Sequence, residues 1–139
     1  MDYSYVDTSA WVSLADASEA SHERVAAALR ERRGRLLSSD HVLHETWAVM
    51  RHRHGFRDAE TLAGAVRSGI ARIEVSGLAD LEVAAAIGAS FLDQDFSLSV
   101  RTSWAVMERL GVHEAVSLDR DFRVYRFGPG RRRAFSVAP

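Results

Sequence analysis

Tyr5-Val6-Asp7-Thr8-Ser9-Ala10-Trp11 holds a strand end, an acid and a helix start in one short stretch. Ser4 to Val6 reads as a short, fully buried strand of a parallel sheet, and Ser9 to Ala15 as the helix that follows it. Between them stands Asp7, at the carboxyl end of the strand. Open parallel α/β sheets gather their functional groups along that edge. The arrangement recurs late in the chain, where Asp119 ends Ala115-Val116-Ser117-Leu118 and leads into Arg120-Asp121-Phe122. A third acid, Glu45, sits one turn into the helix-like run Val42-Leu43-His44-Glu45-Thr46-Trp47.

Outward from these stretches, short β-type runs alternate with helical patterns, which favours a parallel sheet covered by helices. Ser21 to Arg33 is expected to be helical and to end at Gly34, with a second strand over Arg35 to Ser38. Asp40 is expected to cap a helix that buries Val42, Leu43, Thr46, Trp47 and Met50 and ends near Gly55. Asp58 should cap another, reaching about Ser68, before a third strand over Ala71 to Val75. Leu78 to Ser90 is alanine-rich and helical, with Asp80 and Glu82 suiting its positive N-terminal turn. Ser97 has the place of a cap for a helix running to Leu110 and closed by Gly111. Ala115 to Leu118 gives a fourth strand and Arg133 to Val137 a fifth. With no repeat, linker or low-complexity segment, residues 1–139 are expected to form one domain.

At 139 residues and 47% hydrophobic, the chain has enough apolar material for one core. Its net charge of −1 makes no global demand for a polyanionic partner. All 18 basic residues are arginine, the better fork for phosphate oxygens. The absence of cysteine excludes disulfides, a thiolate nucleophile and cysteine-built zinc sites. No signal-peptide pattern opens the sequence and no apolar run approaches the ~20 residues of a membrane span, so a soluble, cytoplasmic protein is expected.

Several familiar sites are missing. Gly128-Pro129-Gly130 lacks the third glycine and the following helix of a dinucleotide loop, and there is no P-loop or nucleophile elbow. His44-Glu45 would need a histidine at position 48 to be a metalloprotease motif, and that residue is Ala48. His41, His44, His52 and His54 cluster on one helix and its end and read as solvated or supporting residues, with a transition-metal site as the lesser alternative; His52, seven residues after Glu45, shares its face and could approach a bound phosphate. Arg131-Arg132-Arg133 is either a contact for a nucleic-acid backbone or a solvated strand edge.

The carboxylates remain. Singly, Asp7 could be a helix cap, Glu45 an exposed helix residue and Asp119 a turn residue. Together they put three acids at three strand–helix junctions, and clustered carboxylates repel unless a cation neutralises them. An all-oxygen donor set suits a hard divalent ion such as Mg2+ or Mn2+.

At these residues the chain resembles PIN-domain proteins, specifically the VapC toxins of toxin–antitoxin pairs. The resemblance spans nearly the whole length. It is carried by Tyr5 to Trp11, by Ser38-Ser39-Asp40-His41-Val42-Leu43-His44-Glu45-Thr46, by Asp95 to Val112, and by Ser117-Leu118-Asp119-Arg120-Asp121-Phe122. It implies a three-layer α/β/α fold with a five-stranded parallel sheet, and a Mg2+- or Mn2+-dependent ribonuclease. It also implies an antitoxin that wraps the toxin and blocks the acidic site, and a homodimer. Asp7 matches the first metal-binding aspartate, Glu45 the glutamate of the second motif and Asp119 the late aspartate, with Ser117 in the small hydroxyl position before it.

One position departs from the pattern. The family usually has an aspartate three residues after the serine matching Ser97, and this chain has Val100 there. Valine removes one acid ligand, which leaves a single metal held through Asp7 and Asp119 and makes Asp93 and Asp95 the nearby candidates to substitute. The expected function is therefore an endoribonuclease toxin acting on single-stranded or loop RNA, weakened at Val100. The alternative is an impaired PIN-fold module that binds antitoxin or RNA without efficient cleavage. A small phosphohydrolase would need a closed pocket instead of an open groove.

Overall fold

The structure is a computed structural model and describes residues 2–139. Five strands, β1 (Ser4–Val6), β2 (Leu36–Ser39), β3 (Arg72–Glu74), β4 (Glu114–Val116) and β5 (Ser136–Ala138), form one sheet in the order β3-β2-β1-β4-β5. Every pairing is parallel, with Tyr5 opposite Leu37 on one side and Ala115 on the other. Successive strand residues point to opposite faces, yet all of β1 and all of β2 are buried, so both faces of the sheet are covered. This is the expected α/β/α sandwich.

Seven helices supply the cover: α1 (Thr8–Ala15), α2 (His22–Glu31), α3 (Asp40–His54), α4 (Phe56–Ala65), α5 (Leu78–Ser90), α6 (Leu98–Leu110) and α7 (Asp121–Val124). None is long and apolar enough to cross a membrane. The caps explain several boundaries. Asp7 caps α1 by accepting from the Ser9 amide, and Ser97 caps α6 by accepting from the Val100 amide. Gly111 closes α6 in the left-handed conformation, φ 67°, which a side chain would strain.

Other boundaries differ from the sequence expectation. Asp40 is the first residue of α3, not its cap; its carboxylate accepts from the His41 amide and from both the amide and hydroxyl of Ser76. Gly55, at φ 99°, turns the chain from α3 directly into α4, so that helix begins at Phe56 rather than after Asp58. It also ends at Ala65, followed by a wide turn (Val66–Ile70) containing Gly69 at φ 121°. β4 stops at Val116, and β5 is Ser136–Ala138, because Arg133 bridges back to Phe127 before the strand begins. The short α7 and a 3-10 turn at Pro129–Arg131 had no helical pattern to announce them.

Charged groups fix the amino edge of the sheet. Arg32 bonds Glu114 at 2.9 Å, and Ser4 and Arg35 reach the same carboxylate. The Arg32 hydrogen bond is the main cause that holds the Glu114 carboxyl at about 2, far below the usual glutamate range. At the opposite edge, His41 ties α3 to α6. Its Nε2 lies 3.1 Å from the Ser99 carbonyl and 3.1 Å from the Ser103 hydroxyl, while Nδ1 is 2.9 Å from the Ser39 hydroxyl. A carbonyl can only accept, so Nε2 carries the proton. Burial lowers the pKa of this ring. Trp11 and Trp104 are fully buried, whereas Trp47 is half-buried, donating to Glu60 at 2.7 Å.

Candidate active site

With strand order 3-2-1-4-5, the connections leave β1 in one direction and β4 in the other. The carboxyl ends of these two strands are therefore the switch point of the sheet, where parallel α/β folds form their crevice. Asp7 directly follows β1 and Asp119 lies in the loop after β4. Both line one open cleft of about 310 Å3, together with Glu45 and Val49 of α3, Ser97 and Val100 at the start of α6, and Arg53 and Glu19. The three acids singled out in the sequence thus share one crevice, and so does the valine.

Asp7 is the buried member, 5% exposed. Its Oδ2 accepts from the Ser9 hydroxyl at 2.8 Å and the Ser117 hydroxyl at 3.0 Å. Each hydroxyl has one proton to give and has given it to Asp7. Each therefore accepts in turn from a backbone amide of the loop after β4: Leu118 N–H to Ser9 at 2.9 Å, Asp119 N–H to Ser117 at 3.0 Å. This short relay joins the two strand ends and occupies Oδ2, while Oδ1 accepts no hydrogen bond among the described residues. Burial pushes the Asp7 carboxyl up, the two serine hydroxyls oppose that, and the Asp119 charge adds to the rise. A cation would relieve both causes of the rise.

Glu45 faces the cleft from α3, and its Oε1 accepts from the Thr8 hydroxyl at 2.6 Å. Among the described residues, no three His, Asp or Glu side chains are grouped closely enough to cage an ion. Val100, 7% exposed and packed into the apolar core, forms part of the cleft wall. The donors still fit magnesium in chemistry, since that ion takes one or two carboxylates and keeps most of its waters. Asp7 and Asp119 are the pair that could hold it.

Asp93, Asp95 and Asp121 do not line the cleft. Asp121 is raised first by burial and then by Asp119, with Asp95 adding a smaller push. His52 is exposed and also absent from the cleft; Arg53 is there instead, on the i, i+4, i+8 row Glu45-Val49-Arg53, with Nη1 3.6 Å from Glu19. The histidines of α3 form no metal cluster: His54 pairs with Asp16 at 3.2 Å and His41 is spent on the α3–α6 tie. Sequence reasoning missed Thr8, Ser9 and Arg53. The hydroxyl pair directly after Asp7 was the available signal for the first two.

The fold and this crevice define a class. The PIN domain family matches residues 4–128, and the chain belongs to that family. Within it, the chain is 34% identical over 124 residues to the 23S rRNA-specific endonuclease VapC20 in two strains of Mycobacterium tuberculosis, covering 88% of this chain and 94% of that protein. The crystal structure of Mycobacterium tuberculosis VapC20, a Sarcin-Ricin loop cleaving toxin, superposes with a TM-score of 0.81 at 30% identity, over 86% of this chain and 92% of that one.

Proposed function

We propose that this protein is a Mg2+- or Mn2+-dependent endoribonuclease toxin that cleaves loop or single-stranded RNA, is restrained by a cognate antitoxin, and is weakened by Val100. The observation that carries the reading is the convergence of Asp7, Glu45 and Asp119 on one open cleft at the switch point of a PIN-domain sheet. An open groove suits a polymer better than a nucleotide, and the similarity to a 23S rRNA-specific endonuclease supports a ribosomal RNA loop as the first substrate to test.

In this reading Asp7 Oδ1 and Asp119 are the metal ligands, with Glu45 contributing from across the cleft. When bound, a divalent cation supplies charge stabilisation at the phosphate and a more acidic water. The chain's own contributions are positional. Ser9 and Ser117 keep Asp7 Oδ2 occupied and leave its other oxygen without a hydrogen bond among the described residues. Thr8 holds one oxygen of Glu45 and leaves Oε2 to orient or deprotonate an attacking water. Val100 offers no charge and presents methyl groups to the cleft.

The apolar groove lined by Leu14, Ala26, Leu29, Leu36 and Ile70 supports an antitoxin helix docking beside the first two helices, with an antitoxin arginine entering the acidic cleft. A homodimer and a cytoplasmic location belong to the same proposal. A second reading, a PIN-fold module that binds RNA or antitoxin without efficient cleavage, is favoured by Val100 in the cleft wall and by the absence, among the described residues, of three acids grouped closely enough to cage an ion. A cleavage assay in Mn2+ on 23S rRNA containing the sarcin–ricin loop separates the two. The expected result is slow, chelator-sensitive cutting at discrete positions, lost in Asp7→Asn. Cutting that persists in Asp7→Asn would remove the site assignment.

A further inference from the structure

An acidic cleft repels the polymer it is meant to cut, so the attraction for a polyanion must come from somewhere else on the surface. Residues 120–133 hold six arginines against a single acid, Asp121, in a chain whose net charge is −1. The segment starts beside the cleft-lining Asp119 and runs through α7 to the 3-10 turn. Among the described residues none of Arg120, Arg123, Arg126, Arg131, Arg132 and Arg133 makes an ion pair with an aspartate or glutamate, whereas Arg32, Arg35, Arg53, Arg72 and Arg109 all do.

Four of the six are nonetheless held in place, and Arg126, Arg131 and Arg133 by groups that carry no full charge. Arg123 donates to the Val137 carbonyl and to a main-chain oxygen of Pro139, and Arg126 to the carbonyls of Arg123, Val124 and Tyr125. The Arg131 guanidinium lies 5.1 Å from the centre of the Phe91 ring and Arg133 4.9 Å from that of Phe127. Arg131 also donates to the Tyr125 hydroxyl, through which alone it meets an acid, Glu108. Neutral partners fix an arginine without cancelling its charge. Holding the side chains in advance reduces the entropy lost when phosphates bind.

We infer that the arginine segment 120–133 is the RNA-backbone docking track of this protein, delivering the chain to the cleft at Asp119. The inference rests on the ribonuclease reading and names where the substrate is held. Each phosphate contact releases condensed counterions, so binding through such a track must weaken steeply with salt.

Fluorescence anisotropy of a labelled RNA stem-loop, titrated in EDTA over a range of salt, reads this without cleavage. Arg120 and Arg132 form no side-chain hydrogen bond among the described residues, so Arg120→Gln with Arg132→Gln leaves the fold intact. That pair should weaken binding on the order of tenfold and flatten the log–log salt slope by about 0.7 for each arginine. Arg120→Lys with Arg132→Lys should keep the slope. Arg24→Gln with Arg67→Gln, removing equal charge from exposed positions on α2 and the turn after α4, should change neither. Equal weakening by both glutamine pairs, or by neither, would overturn the track while leaving an RNA-binding nuclease in place. No RNA binding by the unsubstituted protein at low salt would overturn the ribonuclease reading and the track with it.

Discussion

Val100→Asp is expected to raise metal-dependent RNA cleavage on the order of a hundredfold or more, because preorganised charge at a reacting phosphate is worth several kcal/mol. The reason is local. Position 100 lines the cleft with Asp7 and Asp119, and its amide is already held by the Ser97 hydroxyl, so a new carboxylate would project from a fixed helix start. Folding should pay modestly for the change. Val100 is part of the core, and a buried valine contributes up to about 1.5–3 kcal/mol. An acid in the first turn recovers roughly 0.3–1 kcal/mol from the helix dipole. The variant should therefore melt lower than the parent without metal and regain the loss when Mn2+ is added. Expression without an antitoxin should become toxic. Equal cleavage by the two forms would show that Val100 does not limit the site.

The largest stability effect is expected at Trp104, one turn beyond Val100 on α6. Its ring is fully buried and stacked on Tyr125, centroids 4.3 Å apart and planes 3° from parallel, with Phe96 and Phe122 edge-on. Trp104→Ala should cost about 3–5 kcal/mol in urea unfolding, as the truncated side chain leaves a cavity among three aromatic rings. The indole N–H has no hydrogen-bond partner among the described residues, and a buried orphan donor costs ~1–3 kcal/mol. Trp104→Phe removes that donor along with part of the ring and should cost far less than alanine. A loss below about 1 kcal/mol for the alanine variant would mean that this cluster does not anchor α6, and with it the cleft wall.

What could be read in advance was what depends on neighbours in sequence. Ser97 and Gly111 bracket α6 as expected, since a cap hydroxyl and a left-handed glycine act within a single turn. The junction acids were legible for a related reason: an acid that ends an apolar strand is carried to the sheet edge by the strand itself. Boundaries set by distant partners were less legible. β5 starts at Ser136 because Arg133 is taken up by Phe127, and Asp40 turns to Ser76 across 36 residues instead of capping its own helix. The same holds inside the cleft. Ser9 and Ser117 meet on one Asp7 oxygen although 108 residues separate them, a contact created by strand order alone. His52 and Arg53 differ by one position on α3, and the packing of α1 against α3 decides which of them faces the acids.

The central claim, that Asp7 and Asp119 form a cation site crippled by the valine beside them, is tested most directly by Mn2+ binding. The free ion can be followed by electron paramagnetic resonance during titration of the parent, Val100→Asp and Val100→Asp with Asp7→Asn. The account predicts weak binding by the parent, at least roughly tenfold tighter binding by Val100→Asp, and its loss when Asp7 is also changed. Mn2+ affinity that is the same in all three proteins would contradict it.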